Sequence, residues 1–178
     1  MLLGSLPKGD EARNDFFDWK AEYVKKIQNV VPEALFLHGD LISDKEGAEV
    51  VVGHDLWLIK GANIVIVNAS SKIGAGTAQE IVLAKKFKKP VISIIPKDIH
   101  HRRSNIVFHG TKIKEWIHPF LDVSSDVVVE NIDEAIRWIK SFRSRPKKIK
   151  DFSVFDKAIA KFEKRPAKNV REYKSQGW

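Results

Sequence analysis

The sequence predicts an α/β protein, a doubly wound parallel sheet in three layers, and three observations carry that expectation. Residues 63–95 (NIVIVNASSKIGAGTAQEIVLAKKFKKPVISII) hold a β-branched apolar run, a Ser/Gly-rich turn, a helical pattern and a second apolar run after Pro90, which reads as strand, turn, helix, strand. Short apolar runs recur at 1–5, 34–38 and 127–129, separated by helical patterns, as in the βαβ units of a parallel sheet with flavodoxin- or Rossmann-like order. The 178 residues, 43% of them hydrophobic, suffice for one core, and one α/β body is expected over 1–142.

Charge divides the chain at the same place. Residues 1–142 contain 19 Lys/Arg and 19 Asp/Glu, whereas 143–178 contain 12 against 4, so the tail carries the entire excess of +8. A neutral body with a basic C-terminal helical extension (143–178) points away from nucleic acid as the partner and toward a solvated face docked on the body or on a second copy. The chain lacks cysteine, so disulfides play no part and a cytoplasmic setting is expected. No stretch reaches the roughly 18 apolar residues of a membrane span.

In chain order, strand 1–5 opens into LPKGDEAR, where Gly4, Ser5 and Gly9 leave the backbone uncluttered for a ligand. Asp10 reads as an N-cap with Glu11 in the first turn, and Phe16, Phe17, Tyr23, Val24 and Ile27 recur at helical spacing to about residue 28. Arg13, early in this helix, either meets an anion such as phosphate or pairs with Glu11 or Asp15. Pro32 precedes the strand 34–38. Residues 39–54 are turn-rich and without clear period, a loop with elements the pattern does not place. Residues 54–61 read as a short helix closed by Gly61, with Asp55 at its start.

The central strand 64–67 runs into the turn holding Ser70, Ser71, Gly74, Gly76 and Thr77, and Glu80 follows about one helical turn on. Loops after the strands ending near Leu3, His38 and Val67 share one sheet edge, where helix N–H groups point at ligands. Glu80 is either a first-turn charge favoured by the helix dipole or a chemical tool; together with Asp55 it supplies two carboxylates able to converge on one ligand.

In residues 97–119 the periodicity fails. His100, His101, Arg102, Arg103 and Ser104 lie on an exposed loop, or on a cationic one reaching a phosphate of this chain or a neighbour's. Neither cysteine nor spaced carboxylate completes a zinc set there, and neither metal nor cofactor is expected. Residues 127–129 read as the last strand, and Asn131 with Glu134 opens helix 132–142 in a capping box. After a linker at SRPKKIKD, Phe152, Phe155, Ile159 and Phe162 mark an amphipathic helix with a basic outer face, and the end of the chain is expected to be loosely held.

These blocks resemble the nucleoside 2-deoxyribosyltransferase family, and within it the branch of 2′-deoxynucleoside 5′-phosphate N-hydrolases. The likeness runs through Gly4, Ser5, Gly9 and Arg13 of the opening, Asp55 to Ser71, and Gly76, Glu80 and the following IVLAKKFKKPVISI, covering roughly 1–95 with a continuation to about 140. It implies that Glu80 attacks the anomeric carbon of a nucleoside or nucleotide, displaces the base and forms a glycosyl ester that water or another base resolves. It implies that Asp55 holds the sugar and handles the proton the leaving base needs. Backbone N–H groups around Gly4–Ser5, Ser70–Ser71, Gly74 and Gly76, with Arg13, would cradle a 5′-phosphate.

Family transferases open with a tyrosine-containing strand and carry an acidic residue near the glycine turn. This chain has Met-Leu-Leu-Gly-Ser and Gly74 instead, which favours a phosphorylated substrate and hydrolysis over transfer. The family implies a homodimer or larger assembly whose neighbours close the pocket. Two rivals stand beside this reading: a nucleotide-binding module in which Glu80 does no chemistry, and nucleic-acid association through the basic tail.

Overall fold

The computed structural model describes residues 1–6, 17–37, 39–42 and 44–164. In chain order the elements are β1 (Leu2–Gly4), α1 (Trp19–Gln28), two 3-10 turns (Gly39–Leu41 and Asp44–Glu46), α2 (Ala48–Gly61), β2 (Val65–Asn68), α3 (Ala75–Lys86) and β3 (Val91–Ile94). They continue with β4 (Arg102–Phe108), β5 (Thr111–Ile117), α4 (Pro119–Ser124), β6 (Val127–Val129), α5 (Ile132–Ser144) and α6 (Ser153–Glu163). β1, β2, β3 and β6 pair in that order, all parallel, with Leu3 opposite Val67 and Val67 opposite Ser93.

Strand side chains alternate between two faces, and both faces are covered, which is why the strands read as continuous apolar runs. On one face Leu3, Val65, Val67 and Val91 pack with Leu58 and Ile59 of α2, Ile81 and Ala84 of α3, and Leu121 of α4. On the other, Leu2, Ile66, Ile92, Ile94 and Val129 pack with Trp19, Tyr23 and Ile27 of α1 and with Ile132, Ala135, Ile136 and Ile139 of α5. The protein is thus a three-layer α/β fold. No helix among the described residues is long and apolar enough to cross a membrane.

The expected strand at 34–38 does not form within its described part, 34–37. One backbone bond ties that segment to the sheet, from Leu2 N–H to the Leu37 carbonyl (3.1 Å). Ala34 N–H is spent on a turn to the Val31 carbonyl, and Leu35 is 91% exposed, so this edge has one covered side and little to hold a ladder. Its place beside β1 still matters. The chain leaves β1 toward that edge and later enters β2 on β1's other flank, which puts a topological switch point at the carboxyl ends of β1 and β2.

Three further expectations are corrected. The first helix does not run unbroken to residue 28: Phe17 and Asp18 are not helical, and α1 begins at Trp19 with the Asp18 carboxylate accepting from Lys20 N–H (3.0 Å). The position of Asp10 lies outside the described residues. The helix expected at 54–61 starts at Ala48, behind Gly47 in a left-handed conformation (φ 92°). Val50, Val52 and Trp57 are exposed along it, so an outward apolar surface hides the helical period and Asp55 falls in mid-helix instead of at its start.

Residues 97–119 are not a loop either. β4 and β5 form an antiparallel hairpin pairing Phe108 with Thr111 across His109 and Gly110, both in the left-handed region (φ 47° and 76°), as a two-residue type I′ turn requires.

The extension is pinned at its start. Lys85, fully buried, donates from Nζ to the carbonyls of Lys89 (2.8 Å) and Lys150 (3.2 Å) and to the Asp126 carboxylate. Asp126 also accepts from Val91 N–H (2.7 Å) and Lys150 N–H (2.6 Å). Burial pulls the Lys85 ammonium below its ordinary range, and the Asp126 charge opposes that pull. α6 follows, lying near α4, with Phe152 beneath Lys86 Nζ (5.7 Å from the ring centre) and with Ile159 and Phe162 exposed.

Candidate functional site

At the switch point the backbone is kept bare for a physical reason. A Cβ on Gly4 would sit 2.6 Å from Trp19 Cζ2 and 3.1 Å from the Asn68 carbonyl oxygen, so only glycine lets β1 end against the first residue of α1. Trp19 reaches back with Nε1 to the Ser5 carbonyl (3.4 Å), and Thr77 Oγ1 donates to the Gly4 carbonyl (3.4 Å). The start of α3 is thereby tied to the end of β1.

The loop that leaves β2 is held by its own polar side chains. Asn68, 7% exposed, accepts from both Ser70 N–H (3.1 Å) and Ser70 Oγ (2.7 Å), a local turn of the kind Asn side chains favour. Ser5 Oγ donates to the Lys72 carbonyl, and Ile73 N–H donates to His101 Nε2 (3.2 Å). These bonds leave a cavity of about 430 Å³ between the ends of β1 and β2, lined by Ser5, Leu6, Phe17, Trp19, Asn68, Ser70 and Ser71. It is large enough for a small ligand, and its lining combines serine hydroxyls with aromatic rings.

Above it, α3 begins without a side-chain cap. Gly74 is its N-cap, and a Cβ on Gly74 or Gly76 would meet open space. Neither glycine has positive φ, so their smallness serves access rather than backbone conformation. The first free N–H groups of a 12-residue helix therefore lie open where an anion is favoured by geometry and dipole together.

The two carboxylates take different positions. Glu80 is the sixth residue of α3, and the first turn holds no acidic residue. Dipole stabilisation fades beyond the first turn, so the helix start does not explain a half-buried glutamate there. Asp55, the eighth residue of α2, lies about 10 Å down its helix at 1.5 Å per residue. Its Oδ1 is 3.3 Å from His54 Nδ1 and would be 2.7 Å from a Cβ on Gly39, so its carboxylate packs on the turn that follows 34–37. α2 and α3 lie on the same face of the sheet, but neither carboxylate lines the cavity among the described residues.

Of the residues singled out in the sequence, Ser5, Ser70 and Ser71 meet in the cavity wall, Gly4 packs against its lining residues Trp19 and Asn68, and Gly74 and Gly76 lie at the start of α3 with open space around them. Gly9 and Arg13 lie outside the described residues. Arg102 is turned inward, 9% exposed, bonded through Nε to Glu115 (2.9 Å) and through Nη1 to the Ile95 carbonyl (3.2 Å), which takes it away from any phosphate. Arg103 and Ser104 remain on the exposed side of the hairpin. No group of three or more His, Asp or Glu among the described residues is placed to hold a metal ion.

Sequence reasoning missed Asn68, Trp19 and Phe17. Asn68 carried a signal, an amide closing a β-branched run just before Ser-Ser. Trp19 carried none, because its role depends on Gly4 some fifteen residues away.

The chain matches no protein-family model and no curated protein sequence. Its fold is similar to that of a conserved protein from Enterococcus faecalis V583, with a TM-score of 0.51 and 12% identity over 79% of this chain and 96% of that one. A second similar structure is the CMP N-glycosidase BcmB from Clostridium botulinum, with a TM-score of 0.44 and 12% identity over 79% and 98%. At such identity the first likeness speaks for the architecture alone.

Proposed function

We propose that the chain binds a nucleoside 5′-monophosphate, a deoxynucleotide foremost, at the carboxyl ends of β1 and β2 and cleaves its N-glycosidic bond. The observation that carries this reading is an open cavity at the switch point beside an α3 start that no side chain caps, an arrangement suited to a phosphate. Ser71 adds a hydroxyl donor to it, while the Ser5 and Ser70 hydroxyls are spent on the Lys72 carbonyl and the Asn68 side chain. Gly9 and Arg13 of the opening belong to the same cradle in this reading.

In the proposed chemistry a Glu80 carboxylate oxygen bonds to C1′ as the C1′–N bond breaks and the base departs with the bonding pair. Asp55 supplies or relays the proton that neutralises the leaving base. Water then attacks C1′ and gives its proton to Asp55 as the sugar–Glu80 ester bond breaks, which restores both carboxyl groups, and the free sugar phosphate leaves. Support for Glu80 is its place beyond the first turn, where the dipole gives no reason for a carboxylate. The proposal extends to a homodimer or larger assembly and to an α/β body, 1–142, bearing the basic extension 143–178.

One observation favours a second reading, a nucleotide-binding module without chemistry: the described cavity wall is hydroxyl and aromatic and contains neither carboxylate. Incubation with each deoxynucleoside monophosphate, with free base followed by chromatography, separates the two. Base release that disappears in Glu80→Ala supports catalysis, whereas tight nucleotide binding without release by either protein supports the module. An added acceptor base that becomes glycosylated would convert the hydrolase into a transferase.

A further inference from the structure

We propose that His101 is a positioning residue whose neutral imidazole holds the loop 70–74 in shape, and whose protonation releases that loop, making the site sensitive to acid. What the loop grasps rests on the function proposed above; how it is held does not.

Ile73 stands two residues after Ser71 of the cavity wall and one before Gly74, the N-cap of α3. Its N–H donates to His101 Nε2, and His101 is 6% exposed. A ring nitrogen that accepts must lack a proton, so the neutral ring carries its hydrogen on Nδ1. Among the described residues that Nδ1 is buried with no hydrogen-bond partner. The tautomer is thus set by the Ile73 bond at the expense of a ring N–H left dry, and buried groups of that kind call for an explanation. Protonation would place a second donor against the Ile73 N–H and remove the bond.

Burial and the neighbouring imidazoles oppose protonation there. His100 lies beside it (ring centres 4.7 Å apart) and His118 faces it from the end of β5 (5.8 Å). Arg102 follows it in sequence, with its guanidinium spent on Glu115 and the Ile95 carbonyl, and Lys72 precedes Ile73 on the facing loop. Burial first, then His100 and His118, hold the His101 imidazole below its ordinary range. The sign follows. As pH falls through the ordinary imidazole range the unfolded chain takes up this proton before the folded one, so stability falls until the lower folded value is passed and then levels. The loop's other ties, Asn68 to Ser70 and Ser5 to the Lys72 carbonyl, do not titrate there.

The test is histidine-ring and amide NMR on the full chain between about pH 8 and 5, with His101→Gln, which keeps an acceptor and cannot titrate, and His101→Phe, which keeps neither. The expected ring signature is Nδ1–H with a bare Nε2 and a pKa below the ordinary imidazole range. Ile73 protection against exchange should follow the His101 titration in the parent, stay flat in His101→Gln, and fall about tenfold at all pH in His101→Phe, the size of one lost hydrogen bond. An Nε2–H tautomer, titration within the ordinary imidazole range, or Ile73 protection indifferent to His101→Phe would each overturn the proposal. Base release, if present, should lose its acid-side decline in His101→Gln; a parent that releases no base sinks the function and leaves the loop measurement standing.

Discussion

The two ends of α3 solve opposite problems with the same kinds of atoms. At its C-terminal end Lys85 is fully buried and its ammonium meets two carbonyls and the Asp126 carboxylate, which in turn fixes Val91 and Lys150. At its N-terminal end no side chain caps the helix, Gly74 and Gly76 face open space, and the flanking hydroxyls line a cavity. One end satisfies its polar groups internally. The other leaves its donors for something that is not part of the chain, which is how ligand sites come to lie at the less stable margin of a fold.

Breaking the closed end should have the largest effect. Asp126→Ala strands a buried ammonium and should cost about 3–5 kcal/mol in urea unfolding, while Asp126→Ala combined with Lys85→Met should recover most of it, because a pair replaced by apolar groups is tolerated where a broken pair is not. Equal losses in the single and double variants would mean that the pair is not the clasp described here.

Disturbing the open end should cost less stability and more binding. Gly4→Ala pushes a methyl against Trp19 and the Asn68 carbonyl, a loss of about 1–3 kcal/mol, and should shrink the cavity enough to weaken nucleotide binding in calorimetry. Asn68→Ala removes the acceptor of two Ser70 bonds; about 1 kcal/mol of stability should go, with a larger proportional loss of nucleotide affinity. The sharpest contrast comes from the smallest change. Gly39→Ala meets only the tip of the Asp55 side chain, so unfolding should shift by no more than about 0.5 kcal/mol while base release drops, if Asp55 handles the proton. Unchanged release would remove Asp55 from the mechanism.

The same contrast decides what could be read in advance. The sheet was legible because β2 and β3 are buried on both faces and show it as unbroken β-branched runs, and the Asn131 to Glu134 cap was legible because its spacing is local. That cap departs in one detail, the Glu134 carboxylate returning to Glu130 N–H (2.9 Å). The start of α2 was hidden by exposed Val50, Val52 and Trp57, which blur the apolar stripe that marks a helix. The hairpin could have been found: His109-Gly110 sits between two runs of strand-forming residues, but the surrounding charges masked the alternation. In the candidate site the serines and glycines were visible as a composition, whereas Trp19 over Gly4 and Asp55 under Gly39 are close approaches between distant segments, set by tertiary packing that no local pattern records.

Trp19 serves two masters. Its ring belongs to the core with Tyr23, to which it stands edge-on at 5.1 Å, and the same ring forms part of the cavity wall. Any drift in sequence that remodels the pocket through this indole must be accompanied by repair beneath it, and Ser5 and Ser70 also hold the loop, so ligand preference is expected to evolve at Ser71.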